Sequence, residues 1–596
     1  MAEEYDQQAS SNKRKWPSLD NESLSSQENK KNNPASSSSL SIGKVLWEEL
    51  GKSIAPIEDE ATNDDGVIKV DPKPNIGEVS KTIDYVTGLM VKLQYDTNET
   101  PYYLSGNFGP IRKETPPTGD LKVIQGQIPK LLSGMMIRNG PNPPFDPIAN
   151  YACMLHAIRF KDGKAIYVSR YVQTSRFLQE QVFRSAEFFK YGDLLGSFGL
   201  FTYYLHLLKD ERDVLDMSYG FSNANTGLIH HNGMLMALVD FDKPYVIKVL
   251  DNGDLETLGI NGYKKKLTHN FTPHPKRDPE TGELFIFGSS YTAPYAIYNV
   301  VRKDGIMSDP VPITTSGPSY MHDFGITEKY VIFMDLPYNF DPENMATNND
   351  WIYRLDTTKK SRFGILPRYA KTEEGIKWFE FDESFFIFHN ANAWEDGDGN
   401  IVLISSVMKN DDKHSTFVPP IFYGGPKPSL KGVEFTLPQL FKLTFNMKTG
   451  KCNKVQLSTT YSDYPKVNES YIGRKLRYVY TSKFDQLAKI PSIVKLDLGI
   501  AGAKPQEIQF DFLGNKYGSE VVFVPSVQTD RPLEEDDGYL ITFVHDEDTS
   551  ISYTYIISAQ KMEIEAVIEL PSRVPYGFHA IYMTEMELQA QISNLA

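Results

Sequence analysis

The chain has 596 residues, of which 40% are hydrophobic, so it is long enough to bury a large core. Its formal net charge of −15 excludes the basic surface that a nucleic-acid-binding protein needs, and no nucleic-acid partner is expected. Two cysteines, Cys153 and Cys452, are too few for a disulfide framework and favour a reducing compartment.

Residues 1–75 are predicted to be a disordered or poorly ordered N-terminal tail. The first forty are rich in Ser, Asn, Gln, Lys and Glu, with too little apolar surface to offset the entropy of ordering. Glu3, Glu4 and Asp6 precede any apolar run, which fits neither a signal peptide nor a plastid transit peptide. We therefore expect a cytoplasmic protein that reaches plastid or lipid membranes from outside.

Two segments are predicted to be helical. In the first, residues 79–94, the apolar positions recur with a period near 3.6 residues: Val79, Ile83, Val86, Met90 and Leu93. The second, residues 185–210, is densely apolar, but its charges leave too short a run for a spanning helix. Two alternatives stay open for both segments: helices packed on the core, or an apolar surface that dips into a membrane and admits a lipid substrate.

The rest of residues 76–596 is predicted to form one β-rich domain. Short segments rich in β-branched and aromatic residues alternate with turn sequences such as Asp162-Gly163 and Asn252-Gly253, which supply the positive φ of tight hairpins. This pattern is typical of an all-β propeller, barrel or sandwich. The predicted strands are Ala165–Tyr171, Met234–Val239, Leu284–Phe287, Tyr330–Met334, Ile401–Met408, Arg477–Tyr480, Gly538–His545 and Ser552–Ser558.

Four of the 11 histidines lie at the edges of strand-like segments: His274, His322, His389 and His579. They are 48, 67 and 190 residues apart, and a propeller blade takes roughly 40–50 residues. Inner strands of different blades point at one axis, so the four imidazoles are predicted to meet at one metal ion. Imidazole suits iron, copper, zinc and nickel. The other seven histidines are expected to be structural.

A histidine that binds a metal usually donates its other ring N–H to a carboxylate or a carbonyl. Buried acids are therefore expected near strand ends that are distant from the histidines in sequence. The candidates are Asp240, Asp463 and Glu520.

These motifs give the chain a resemblance to the carotenoid cleavage dioxygenase family, most closely to its plant 9,10(9′,10′)-cleaving type. The resemblance runs from about residue 79 to the C-terminus. Besides the four histidine motifs, it rests on Tyr103–Phe108, Arg138–Pro143, Asp242–Leu250, Gly473–Lys475, Glu535–Tyr539 and Val574–His579.

The resemblance implies a seven-bladed β-propeller with a helical cap over the face that bears the substrate tunnel. It implies Fe(II) held by His274, His322, His389 and His579, with Asp240, Asp463 and Glu520 hydrogen-bonded to three of these rings. The implied substrates are O₂ and a carotenoid or apocarotenoid, cleaved at the 9,10 and 9′,10′ bonds. Cleaving a C=C bond into two carbonyls supplies the four electrons that O₂ accepts, so no external reductant is needed.

Two features depart from the family pattern. Where the family has a His-x-Phe-Asp-Gly-Asp-Gly-Met segment, this chain reads only Tyr151–His156, which raises the possibility of a mispaired blade. Asp240 stands in place of the usual glutamate and is one methylene shorter, which puts its reach to a histidine in question. Two alternatives are therefore kept: cleavage of another alkene, such as a short apocarotenoid or a stilbene, and a non-catalytic carotenoid-binding propeller.

Overall fold

The structure is a computed structural model that describes residues 66–94, 104–144, 152–189, 194–409, 437–499, 505–526 and 533–591. Within these residues, the helices are α1 (Glu78–Gln94), α2 (Ser175–Phe183), α3 (Gly196–Glu211), α4 (Pro342–Asn348) and α5 (Glu585–Gln589).

The strands are, in chain order, β1 (Val67–Ile68), β2 (Thr115–Thr118), β3 (Val123–Gly126), β4 (Gly134–Arg138), β5 (Met154–Lys161), β6 (Lys164–Tyr171), β7 (Gly227–His231), β8 (Met234–Leu238), β9 (Tyr245–Val249), β10 (Leu255–Asn261), β11 (Lys276–Arg277), β12 (Leu284–Ser289), β13 (Tyr295–Val301), β14 (Val311–Thr314), β15 (Gly325–Ile326), β16 (Tyr330–Asp335), β17 (Tyr338–Phe340), β18 (Tyr353–Leu355), β19 (Arg362–Pro367), β20 (Lys377–Glu380), β21 (Phe385–Glu395), β22 (Asn400–Lys409), β23 (Gln439–Asn446), β24 (Cys452–Lys466), β25 (Tyr478–Lys483), β26 (Ser492–Asp497), β27 (Gln506–Asp511), β28 (Lys516–Gly518), β29 (Val522–Pro525), β30 (Gly538–Asp546), β31 (Ile551–Ser558), β32 (Glu563–Glu569) and β33 (Ala580–Thr584). All eight predicted strands are confirmed, with their ends shifted by a few residues at most.

These strands form the antiparallel blades of a seven-bladed β-propeller, which confirms the predicted fold class. One continuous sheet, β21–β27, contributes two blades because the first half of the long β24 pairs with β23 and its second half pairs with β25. The blades are numbered here as blade 1 (β33-β4-β5-β6-β2), blade 2 (β7–β10 with β1), blade 3 (β11–β14), blade 4 (β15, β16, β19, β20), blade 5 (β21–β24), blade 6 (β24–β27) and blade 7 (β28–β32 with β3).

The apolar core lies within the blades and between neighbouring ones. One buried cluster runs through blades 3, 4 and 5, where Phe285, Phe333 and Phe441 are at most 3% exposed. Burying large aromatic side chains on the facing surfaces of twisted sheets holds the blades at fixed angles to one another. The positions of the blade edges near the axis are therefore set by this packing.

Blade 1 closes the ring because it is built from both ends of the folded region. The last strand, β33, pairs with β4 in a register that runs from Ala580↔Arg138 to Thr584↔Gly134. Next to it, β4 pairs with β5 from Gly134↔Phe160 without a register shift. The shortened segment beside Cys153 therefore does not mispair the blade, so that possibility is wrong. Residues 145–151 lie outside the described residues.

Part of the predicted tail is folded. Val67 and Ile68 form β1, pair with Asn261 and Ile260 of β10, and are each 3% exposed. The predicted boundary at residue 75 was therefore too late, since a two-residue strand is too short to produce a recognisable pattern. The rest of the prediction, for residues 1–65, lies outside the described residues.

Both predicted helical segments contain helices that pack together. Helix α1 joins α3 through the ion pair of Asp84 with Lys209, whose Oδ1 and Nζ atoms are 2.7 Å apart. Each helix has a buried and an exposed apolar side. Ile83 and Tyr203 are buried, whereas Tyr85, Phe198 and Phe201 are 70%, 41% and 43% exposed. The buried sides fit the first alternative, packing on the core, whereas the exposed apolar sides leave membrane contact a prediction.

Candidate metal centre

The four predicted histidines converge, although they belong to four different blades. His579 immediately precedes β33, His274 and His322 lie two and three residues before β11 and β15, and His389 lies in β21. Each of these strands is the edge strand of its sheet, so the edges face a common centre. One ring nitrogen from each histidine lies within 4.8 Å of the other three, and the Nε2 atoms of His274 and His322 are 2.9 Å apart.

The three predicted acids each contact a different ring of the cluster, through its Nδ1 atom. The carboxylates come from the remaining blades: Asp240 from the β8–β9 connection of blade 2, Asp463 from blade 6, and Glu520 from blade 7. All seven blades therefore contribute one residue to the centre. The Nδ1-to-oxygen distances are 2.6 Å for His322 with Asp240, 3.0 Å for His389 with Asp463, and 2.8 Å for His579 with Glu520.

Asp240 reaches its histidine directly despite its short side chain. The amide of Asn270 donates to the backbone carbonyl of Asp240 at 2.6 Å, which fixes this part of the β8–β9 connection close to the axis. A carboxylate that accepts the Nδ1 proton selects the tautomer whose Nε2 lone pair is available for a metal. The geometry thus directs the Nε2 atom of His322 to the centre.

Burial keeps two of the rings neutral. It lowers the pKa of His274 far below its ordinary value and that of His579 to about 4. Burial also lowers the pKa of His389, but the adjacent carboxylate of Asp463 outweighs this and raises it overall. For Glu520, burial favours the neutral acid, whereas Lys466 and His579 lower the pKa further than burial raises it. The site therefore combines neutral imidazoles with an ionised acid behind one of them.

The donor set fits a divalent transition-metal ion. Two nitrogen ligands at right angles, each about 2.1 Å from a metal, stand about 3.0 Å apart. The 2.9 Å separation of the His274 and His322 Nε2 atoms matches that value. Four imidazoles with carboxylates bonded only to their outer nitrogens suit iron, copper, nickel or zinc rather than magnesium or calcium.

The two sides of the centre differ in chemistry. On one side, aromatic rings stand over His322: Tyr320 at 5.8 Å and Phe388 at 5.4 Å between ring centroids. A recess beside Asp240 is lined by Phe241 and Tyr320. Phe221 also lines it, and its ring lies 5.6 Å from Phe189, which belongs to the predicted cap segment. The side on which this segment packs is therefore the more apolar side of the centre.

On the other side lies a polar cavity of about 140 Å³, lined by charged side chains together with His274, His389 and His579. Its charged residues are Lys276, Arg277, Asp323, Lys466, Glu469 and Glu520. A long polyene would have to desolvate these groups to enter, which costs several kcal/mol per charge. This side suits water and small polar molecules.

The structure brings together the seven residues predicted from the sequence, and residues that were not predicted lie around them. Tyr320 and Phe388 lie two and one residues from His322 and His389, and their aromatic character near those motifs was a usable signal. Lys466 and Asp323 gave no such signal, because their contacts exist only between blades.

Comparisons with known proteins identify relatives of the whole described region. Residues 108–584 match the family model described as retinal pigment epithelial membrane protein. The chain is 50% identical over 542 residues to carotenoid 9,10(9′,10′)-cleavage dioxygenase 1 of Pisum sativum, covering 88% of this chain and 98% of that protein. It is also 50% identical over 541 residues to the protein of that name from Arabidopsis thaliana, with the same coverage of 88% and 98%.

Solved structures with the same fold include a lignostilbene dioxygenase from Pseudomonas brassicacearum, with a TM-score of 0.66 at 22% identity over 81% of this chain and 99% of that one. Cobalt-substituted apocarotenoid oxygenase from Synechocystis gives a TM-score of 0.66 at 23% identity over 80% of this chain and 97% of that one. At these identities the structures support the fold. The family model and the plant relatives lead to one conclusion: the chain belongs to the carotenoid cleavage dioxygenase family.

Proposed function

We propose that this protein is a non-haem Fe(II) dioxygenase that cleaves the 9,10 and 9′,10′ double bonds of carotenoids or apocarotenoids. His274, His322, His389 and His579 hold the iron, and Asp240, Asp463 and Glu520 orient three of these rings. The observation that carries the proposal is the convergence of four imidazoles, each from a different blade, within 4.8 Å. The 50% identity to relatives named for 9,10(9′,10′) cleavage supports the choice of substrate and bond.

The reaction balances without another reductant. One C=C bond and one O₂ molecule give two carbonyl groups, so every atom of O₂ and all four electrons are accounted for. His274, His322, His389 and His579 would hold Fe(II), which when bound would supply the activation of O₂. The protein's own residues hold the imidazoles in place, exclude water with Tyr320, Phe241 and Phe388, and position the polyene beside them.

We further propose that the exposed apolar sides of α1 and α3 touch a membrane from which the substrate is taken up. Tyr85 and Leu89 of α1 are 70% and 44% exposed, and Phe198 and Phe201 of α3 are 41% and 43% exposed. Within the described residues, no helix is long and apolar enough to cross a membrane. This surface therefore suits peripheral contact, in which aromatic side chains enter the lipid interface. The cytoplasmic location stays a prediction.

The function is tested on the purified full-length protein. We expect about one iron per chain, O₂ uptake on addition of β-carotene or an apocarotenal, and ionone-type ketones with a dialdehyde among the chromatographed products. Uptake with a stilbene but not with carotenoids would support the alternative alkene. Iron without O₂ uptake on any of these substrates would support the non-catalytic alternative.

His322→Ala is the first variant to test. The ring is buried among the other ligands, and its loss leaves three histidines and an unpaired Asp240, so we expect iron binding and O₂ uptake to be lost. The strands of the blades do not depend on this ring, so the circular dichroism spectrum should stay close to that of the unaltered chain. Full activity in this variant would contradict the ligand assignment. His545→Ala, at a buried histidine bonded to Ser552, is the control and should keep its iron.

A further inference from the structure

A buried carboxylate that does not touch the rings connects three of the segments that carry them. Asp323 is 1% exposed and follows His322 in the chain. Its Oδ1 atom lies 2.6 Å from Nζ of Lys276, and its Oδ2 atom accepts the backbone N–H of Asn390 at 2.7 Å. The backbone N–H of Phe324 donates to Oδ1 at 2.7 Å as well. Both carboxylate oxygens of Asp323 therefore accept hydrogen bonds.

The partners of Asp323 belong to the neighbouring ligand segments. Lys276 stands two residues after His274 at the start of β11 in blade 3. Asn390 follows His389 within β21 of blade 5. Asp323 itself belongs to the blade 4 segment that carries His322. One carboxylate therefore joins the ligand-bearing edges of three consecutive blades.

The three acids that contact the rings do not make this connection. Asp240, Asp463 and Glu520 each contact one ring and so set the orientation of that ring. None of those contacts sets the distance between the backbones of blades 3, 4 and 5. A buried ion pair also contributes little net stability, because desolvation offsets most of its attraction. The ion pair adds little stability but joins three ligand segments. Its simplest role is therefore to fix the spacing of those segments.

We propose that Asp323 and Lys276 are positioning residues of the metal centre: their buried ion pair fixes the spacing of the His274, His322 and His389 segments. The proposal rests on the metal site assigned above. Without the pair, the three edges would separate by more than the few tenths of an ångström that metal coordination tolerates. Metal affinity and ligand geometry would then change even if the propeller remained folded.

The test uses the full-length chain freed of metal and titrated with Co(II), whose visible absorption reports ligand geometry. Asp323→Asn removes the charge on the carboxylate, and Lys276→Gln removes its cationic partner. The matched control is Asp536→Asn, because Asp536 forms a buried ion pair with Lys495 in which Oδ2 and Nζ are also 2.6 Å apart, in another part of the ring. Thermal midpoints of the metal-free proteins are measured in parallel.

A purely electrostatic role and a positioning role predict opposite results for Lys276→Gln. Removing a positive charge near the site should strengthen cation binding, whereas loosening the segments should weaken it. We expect both variants to weaken Co(II) binding about 10–100-fold and to alter the Co(II) spectrum. The control should lose thermal stability while it keeps the affinity and spectrum of the unaltered chain.

Unchanged or tighter Co(II) binding with an unchanged spectrum in Lys276→Gln would overturn the proposal. That outcome decides the question even where Asp323→Asn does not fold, because Lys276→Gln keeps the bonds of Asp323 to Asn390 and Phe324. If the unaltered chain bound neither Co(II) nor Fe(II), the metal site itself would be wrong and this inference with it. Binding by the unaltered chain with no response in the variants would overturn the inference alone.

Discussion

Asp240 shows how one side chain depends on the backbone that presents it. The aspartate is shorter than the glutamate expected by resemblance, yet its Oδ1 atom lies 2.6 Å from the Nδ1 atom of His322. The β8–β9 connection brings its backbone close enough, held by the amide of Asn270. The length of a side chain, read from sequence, is therefore a poor guide to its reach when the position of its Cα is unknown.

Replacing Asp240 with asparagine should weaken the metal centre. The amide has nearly the same shape but lacks the charge that favours the Nδ1–H tautomer of His322, so we expect metal affinity to fall about 10–100-fold. Competition with a metal chelator measures the affinity of the variant and of the unaltered chain. Asp309→Asn, on an exposed side chain, is the control and should have no effect. Equal affinities for the Asp240 variant and the unaltered chain would contradict the role of this carboxylate.

Site residues could be predicted from the sequence where the neighbouring residues pointed to them. The four histidines stood out because each lies beside a strand-like segment. The three acids were candidates near strand ends, and the family resemblance then implied their role. Asp323 was missed although it adjoins His322, since its importance comes from contacts with Lys276 and Asn390 on other blades. Such contacts depend on how sheets pack, which neither periodicity nor spacing records.

Among the elements, strands and turns were the most predictable. Asp162 and Gly163 have φ values of 52° and 71°, as a two-residue hairpin between β5 and β6 requires. Such turns depend on local chemistry, which is present in the sequence. By contrast, β1 depends on pairing with β10, almost two hundred residues further on, and its two residues form no pattern of their own.

The exposed side of α3 gives a prediction at the scale of one element. Phe198 and Phe201 are three residues apart, so they lie on the same face of the helix. Replacing both with serine should weaken binding to phospholipid vesicles about tenfold or more, because less apolar surface can leave water. The KM for carotenoid in vesicles should rise, while kcat stays unchanged because neither ring contacts the metal centre.

Vesicle sedimentation and kinetics measure these effects. Leu513→Ser is the matched control, since Leu513 is 74% exposed on the loop between β27 and β28. Equal vesicle binding by the double variant and the control would contradict membrane contact through α3.

At the scale of the whole molecule, the seam of blade 1 is the point at which the ring closes. Gly577 lies against the buried Arg138 of β4, and a Cβ atom there would stand 2.7 Å from the guanidinium carbon and 2.9 Å from the carbonyl oxygen of Asn139. Nearby, Asn139 and His579 are joined by a backbone hydrogen bond of 2.9 Å. Gly577 and His579 therefore lie in one tightly packed segment at the junction of β33 with β4.

Gly577→Ala should lower both stability and metal affinity. The added methyl group has no room, so we expect a loss of about 1–3 kcal/mol in the free energy of unfolding and a displaced His579. Chemical denaturation and Co(II) titration measure the two effects. Gly397→Ala, where nothing lies within 4 Å of the added atom, should change neither. A fully stable Gly577→Ala variant with normal affinity would show that the seam is looser than its geometry indicates.

The pairing of β33 with β4 also has a consequence for biosynthesis. Because β33 must pair with β4 to close the ring, the ribosome must synthesise every residue from β4 to β33 before His579 can join the other three imidazoles. Under the proposed assignment, a metal ion would meet all four imidazoles only after that synthesis, and a chain that stopped before His579 would lack both the fourth imidazole and the strand that closes blade 1.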